Sequence, residues 1–236
     1  QIDQDGAVMK ALEAKEPGAA GMARYVRRSG CFPVYDNTAV TYFPLGEAMF
    51  ERMLAELERA ERFIFLEYFI LDEGYMWDSI LEILKRKAAD GVDVRVMYDG
   101  TCEFMLLPRD YPRQLERMGI RCQAFAPLEP FVSTHYNYRD HRKILVIDGH
   151  TAFTGGVNLA DEYINRCEKY GHWKDTAVML RGEAVRSFTV MFLQLWSADL
   201  RSPEYHKFVT APVPEQRAAG FVMPYSDSPL DNDRVG

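Results

Sequence analysis

One short segment of this chain holds side chains that could work on a phosphate. It runs His141-Arg142-Lys143, then Asp148, then Gly155-Gly156-Val157-Asn158. Written as a pattern it is H-x-K, four residues, D, six residues, G-G-x-N, and a chance match is rarer than about one in 10^5. His141 and Lys143 stand two apart at the start of an expected strand, so their side chains project from the same face. Asp148-Gly149 is a strong hairpin signal, and the hairpin returns the Gly155-Gly156 corner to the start of that strand. Paired glycines allow close backbone approach there. Asn158, just past the corner, can turn its amide toward the point that His141 faces. An imidazole, an ammonium and a carboxamide converging on one point form a site for a phosphate oxyanion. His172-Trp173-Lys174 is also H-x-K, but no Asp or Gly-Gly-x-Asn follows at the right spacing, and it reads as surface or packing.

Elements that could position this segment lie on both sides of it. Phe50, Met53, Leu54 and Leu57 recur at helical spacing, and Phe63 to Leu71 reads as a buried strand. Trp77, Ile80, Leu81 and Leu84 mark a second amphipathic helix that stops near Asp90-Gly91. Val92 to Met97 alternates as a strand, a short helix spans about Pro112 to Met118, and Ile120 to Phe125 is a further strand. Ala126 to Asp140 is loop-like, with Pro127 and Pro130. Strands Lys143 to Ile147 and Thr151 to Thr154 form the hairpin, Asp175 opens one more through Leu180, and Val185 to Trp196 closes as a helix. Strands alternating with helices predict an α/β fold, a layered α/β/α sandwich with a mixed, largely parallel sheet. The expected organisation is a lead segment over 1–36, a lobe over 37–200, and over 201–236 a linker followed by the start of a truncated second lobe. Phe221 to Tyr225 could begin a strand of that second lobe.

Composition limits the partners. The 236 residues are 47% hydrophobic and 27% charged, enough to bury a core and unlike a disordered chain. The longest apolar run, Phe63 to Leu71, is nine residues with Glu67 at its centre, far short of the roughly 20 that a membrane-spanning helix needs. This stretch of chain is therefore expected to be soluble. Net charge is −7, so the overall field repels polyanions, and no nucleic-acid partner is expected. Cys31, Cys102, Cys122 and Cys167 lie far apart without zinc spacing, so no metal site is expected. Gln1 is not a natural start and no signal peptide follows, so the chain reads as a piece of something longer. Arg24, Arg27 and Arg28 form a basic cluster in the lead segment. They read as the solvated face of a surface helix, or as a segment beside an anionic membrane, where each would contribute about 1 kcal/mol.

The His141–Asn158 segment resembles the HKD signature of the phospholipase D superfamily, whose members cleave or exchange phosphodiester bonds without a metal or other cofactor. The resemblance implies that His141 is the nucleophile that becomes phosphohistidine, or the acid that protonates the leaving alcohol. It implies that Lys143 and Asn158 bind the non-bridging oxygens, and that Asp148 braces the hairpin. It also implies an acidic residue opening the next strand that hydrogen-bonds the histidine, and Asp175 stands there. Leu66-Glu67-Tyr68-Phe69-Ile70, Asn137-Tyr138-Arg139, Gly155-Gly156-Val157-Asn158, Asp161-Glu162-Tyr163 and the tail from Pro224 to Leu230 look more particularly like bacterial cardiolipin synthase. That likeness implies a phosphatidyltransferase joining two phosphatidylglycerols with release of glycerol. It would work at the bacterial cell membrane, with its catalytic part on the cytoplasmic side and membrane segments outside this chain. This chain would be half of the site, completed by a second HKD lobe or by a homodimer partner. The alternative is a soluble homodimeric phosphodiesterase or nuclease of the same superfamily. Glu67, a lone carboxylate in an apolar strand, is costly to bury unpaired. It either pairs with Lys143 or Arg139 near the pocket or makes a structural ion pair elsewhere. Phe104-Met105-Leu106-Leu107 reads as core packing more readily than as an exposed loop dipping toward lipid.

Overall fold

The computed structural model describes residues 2–30, 32–126, 139–197, 205–216 and 218–226. Seven strands form one sheet: β1 (Thr38–Phe43), β2 (Phe63–Tyr68), β3 (Asp93–Asp99), β4 (Arg121–Phe125), β5 (Lys143–Ile147), β6 (Thr151–Gly155) and β7 (Ala177–Gly182). Their order across the sheet is β1-β7-β6-β5-β2-β3-β4. The α/β architecture and the mixed sheet agree with expectation, but the parallel share needs correction. Only β2·β3 and β3·β4 pair parallel, and the other four ladders are antiparallel. The physical reason is the tight turn after β5. A hairpin reverses direction, so β5 and β7 run against their neighbours although the remaining strands share one direction.

Helices cover both faces. α3 (Gly46–Leu57) and α4 (Tyr75–Ala89) lie on one, with Met53, Leu57, Trp77, Ile80 and Leu84 in a core shared with Ile64, Leu66 and Leu145. α7 (Val185–Trp196) covers the other, where Phe192 stacks on Phe65 at 4.6 Å between ring centroids. The alternation along β2 follows directly. Ile64, Leu66 and Tyr68 enter the first core, and Phe63 and Phe65 enter the second. On β5, Leu145 and Ile147 face the first core while Ile144 and Val146 face the second. This parity decides on which side each functional group emerges.

The lead segment folds as two helices, α1 (Gly6–Lys15) and α2 (Pro17–Gly30). Their apolar faces meet Val34, Phe221 and Met223 in a small separate core. Phe221 to Tyr225 forms no strand of a second sheet. Its one pairing is an antiparallel bridge between Tyr35 and Val222, so it lies against the end of the lead segment. The short helices α5 (Cys102–Met105) and α6 (Tyr111–Arg117) follow β3, and α8 (Tyr205–Val209) follows α7. Asn137 and Tyr138, Pro127 and Pro130, and the tail from residue 227 lie outside the described residues.

Candidate active site

Asp148 fixes the hairpin to its neighbour. Asp148 and Gly149 both take positive φ, 54° and 76°. That turns the Asp148 carboxylate back to accept from the backbone N–H groups of Glu61, Arg62 and Phe63 at 2.9, 2.7 and 2.9 Å. The start of β2 is thereby locked to the end of β5, and the register Tyr68↔Lys143 sets the other end.

At that other end the site residues gather around Phe69. The ring of His141 lies 4.7 Å from that of Phe69, centroid to centroid. The Lys143 ammonium sits 5.3 Å from the same ring and donates to the His141 carbonyl at 2.7 Å. Lys143 is buried whereas His141 is exposed, so an imidazole at the rim stands beside an ammonium set deeper in. Burial lowers the Lys143 pKa to about 8, with Asp140 and Asp175 opposing the shift. Burial, followed by the Lys143 charge, also pulls His141 below its ordinary value, and Asp140 and Asp99 oppose this. At neutral pH His141 is therefore mostly the free base.

The Gly155-Gly156 corner admits no side chain. A Cβ on Gly155 would collide with the Thr176 carbonyl, and one on Gly156 would collide with the Asp175 carboxylate. The corner accordingly bonds across to the next strand, Gly156 N–H to Thr176 O at 3.0 Å. Beyond it, residues 156–159 run beside the end of β2. Leu159 N–H donates to Ile70 O, Asp72 N–H donates to Leu159 O, and Leu71 bridges Leu159 in parallel. This path brings Asn158 to the site. Its Oδ1 accepts from Ile70 N–H at 3.0 Å and its Nδ2 donates to the Tyr163 hydroxyl at 2.9 Å. Among the described residues, one Nδ2 proton has no partner.

Two expectations need correction. Asp175 makes no hydrogen bond to His141 among the described residues. Its Oδ1 accepts from the Thr176 N–H at 3.0 Å, and its field acts on Lys143. The close seat over Gly156 directs the carboxylate to the lysine side of the site. Glu67 pairs with neither Lys143 nor Arg139. It is wholly buried, with Oε1 2.5 Å from Arg142 Nε. The reason is strand parity: Glu67 follows Phe63 and Phe65 on the α7 face, the face opposite Lys143, and Arg142 alternates onto that same face.

Several contributors were not read from the sequence. Phe69 carries the imidazole and the ammonium, Tyr163 anchors Asn158, and Asp140 and Asp99 act on His141. Asp161 caps α4, accepting from the N–H groups of Tyr75 and Met76 at 3.0 and 2.7 Å, and Glu162 pairs with Lys169 at 2.9 Å. The Asp161-Glu162-Tyr163 triplet thus ties the loop after β6 to α4 and to Asn158. No group of metal-ligating side chains occurs among the described residues, nor does any helix long and apolar enough to cross a membrane.

Comparison with known proteins agrees with this geometry. The chain is 56% identical over 232 residues to an uncharacterized protein of Streptococcus mutans, covering 98% of this chain and 50% of that one. It is 37% identical over 194 residues to cardiolipin synthase of Geobacillus kaustophilus, covering 80% of this chain and 38% of the relative. The chain thus spans half or less of the length of these relatives. Among solved structures, phosphatidylserine synthase of Haemophilus influenzae shares the fold with a TM-score of 0.58 at 15% identity, covering 79% of this chain and 45% of that one. Nuc of Salmonella typhimurium, a phospholipase D family member, superimposes with a TM-score of 0.51 at 18% identity, covering 69% of this chain and 95% of that one. Residues 53–196, which hold β2 through α7 and every side chain gathered at Phe69, match the family model described as cardiolipin synthase, PLD-like domain, and the chain belongs to that family.

Proposed function

We propose that this chain is the first catalytic lobe of a cardiolipin synthase, transferring a phosphatidyl group from one phosphatidylglycerol to another with release of glycerol. The observation that carries the reading is an exposed, free-base imidazole, His141, next to the buried ammonium of Lys143 on one aromatic ring. In the first step an imidazole nitrogen of His141 attacks phosphorus while the bond from phosphorus to the glycerol oxygen breaks. A partner histidine, from a second lobe or a second copy, protonates the departing glycerol. That partner then takes the proton of the incoming phosphatidylglycerol hydroxyl, whose oxygen attacks phosphorus as the phosphorus–nitrogen bond breaks. The Lys143 ammonium and the remaining Asn158 amide proton neutralise the non-bridging oxygens as charge builds. Asp175 supports this by favouring the charged form of Lys143. The reading places the intact protein at the bacterial membrane, its catalytic part facing the cytoplasm.

His141→Ala in the intact protein tests this. Cardiolipin formed from phosphatidylglycerol should fall to background, and acid-quenched phosphoenzyme labelled from radioactive lipid should vanish. Normal turnover in that variant overturns the assignment. Nuclease activity of the purified chain with no lipid turnover would favour the homodimeric phosphodiesterase instead.

A further inference from the structure

His141 sits on residues 139–142, a stretch in neither helix nor sheet, so no ladder of backbone hydrogen bonds fixes it. Buried side-chain contacts made by its flanking residues hold it instead. On one side, Asp140 N–H donates to Asp99 Oδ2 at 3.2 Å, and Arg139 reaches Asp99 Oδ1 at 3.3 Å. On the other, Arg142 donates through its backbone N–H and through Nε to Asp140 Oδ1, both at 3.2 Å. Beside that same Nε lies Glu67 Oε1, at 2.5 Å but off the N–H axis, so the Glu67 oxygens accept no aligned hydrogen bond. The rest of the guanidinium reaches Met191 O on α7 and Ser226 Oγ, each at 3.4 Å.

We propose that Arg142 and Glu67 are a positioning pair that anchors the backbone of His141 from the α7 face and so holds its imidazole against Phe69. The proposal rests on the reading of His141 given above and assigns a task to the middle residue of H-x-K and to the lone carboxylate of β2. Net stability is a poor reason for such a pair. Desolvation of two buried charges offsets their attraction, and well-packed apolar replacements are often neutral or stabilising. Burial does push the Glu67 carboxyl well above the usual range against the pull of Arg142, and Asp140 adds to the rise. A pair that costs this much to bury is explained by what it places.

The test compares Glu67→Gln, Arg142→Met and the double variant Glu67→Leu with Arg142→Met. Each single change leaves a buried group without its partner and should lower the urea midpoint, whereas the double change should recover most of it. In the folded double variant, nuclear magnetic resonance of the chain should show the His141 ring protons losing the upfield shift that Phe69 imposes. The imidazole midpoint should rise toward its ordinary value. In the intact protein the same variant should lower kcat about tenfold or more while KM stays within about twofold, since a placement error of about 1 Å costs on that scale. A double variant that folds but keeps the ring shift, the midpoint and kcat overturns the proposal. If it does not fold, Arg142→Lys decides, because lysine keeps the charge but loses the planar fork. An unchanged His141 ring shift there overturns the proposal, and loss of the shift upholds it. The resonance readouts need no lipid, so an intact protein with no transferase activity but with these shifts would sink the functional reading alone.

Discussion

Lys143 makes the clearest prediction at the scale of single residues. Its pKa is lowered to about 8 chiefly by burial, so between about 8 and its ordinary value near 10.5 the unfolded chain holds a proton that the folded chain has released. Over that window this group makes stability rise with pH, and below it the buried ammonium counts against folding. Function runs the other way, because the phosphate needs the charge. Binding of inorganic phosphate to the chain, followed by calorimetry, should therefore weaken about tenfold from pH 7 to pH 9, as the charged fraction falls by that factor. Lys143→Met should abolish that pH dependence along with most of the binding. An affinity that stays level across this range in the unaltered chain would remove Lys143 from the oxyanion site. His141 answers the same burial with the opposite use: lowering its pKa keeps the imidazole nucleophilic at neutral pH.

Among the elements, the β5–β6 hairpin is the device that brings the site together, and Asp148 is its anchor. Asp148→Ala would orphan three backbone N–H groups at the start of β2 and leave alanine at a φ of 54°. A loss of about 3 kcal/mol, read from urea unfolding, is expected. Asp148→Asn keeps one acceptor oxygen and tolerates the left-handed backbone, so it should lose about half as much. Equal stability of the alanine variant would mean that water replaces the carboxylate at all three groups. This hairpin was legible because Asp-Gly is a local signal and the H-x-K…G-G-x-N spacing rides on it. β1 was not legible: it is an edge strand whose Val40 and Tyr42 face outward, so no apolar alternation marks it. The partner of Glu67 was hidden for a different reason. Finding Arg142 requires knowing that β2 and β5 are neighbours and in which register, and only the sheet order supplies that. Once given, alternation alone selects Arg142 over Lys143.

For the molecule as a whole, the site lies at one rim of the sheet, at the carboxyl ends of the parallel strands β2 and β3. α5 sits on the same rim, tied to Phe69 by Cys102 Sγ donating to its carbonyl at 3.3 Å. The apolar run beyond β3 divides in a way its composition does not show. Leu107 enters the core and Leu106 packs against it, whereas Phe104 and Met105 are 70% and 79% exposed. Two large apolar side chains thus project into solvent on the rim where a lipid phosphate would have to enter. With a net charge of −7 the chain as a whole is repelled by an anionic bilayer, so local apolar contact is what remains to draw this rim to a lipid surface. Burying both side chains in the acyl boundary is worth roughly 3 kcal/mol. Phe104→Asp combined with Met105→Asp should therefore lower partition of the chain onto phosphatidylglycerol vesicles by about tenfold or more, measured by sedimentation. The urea midpoint should not move, because neither side chain packs in the core. Unchanged partition would sink the idea that this rim meets the membrane. Leu107→Asp is the informative contrast: it should unfold the chain rather than merely release it from lipid, since its side chain is 6% exposed and packs in the core beneath α5.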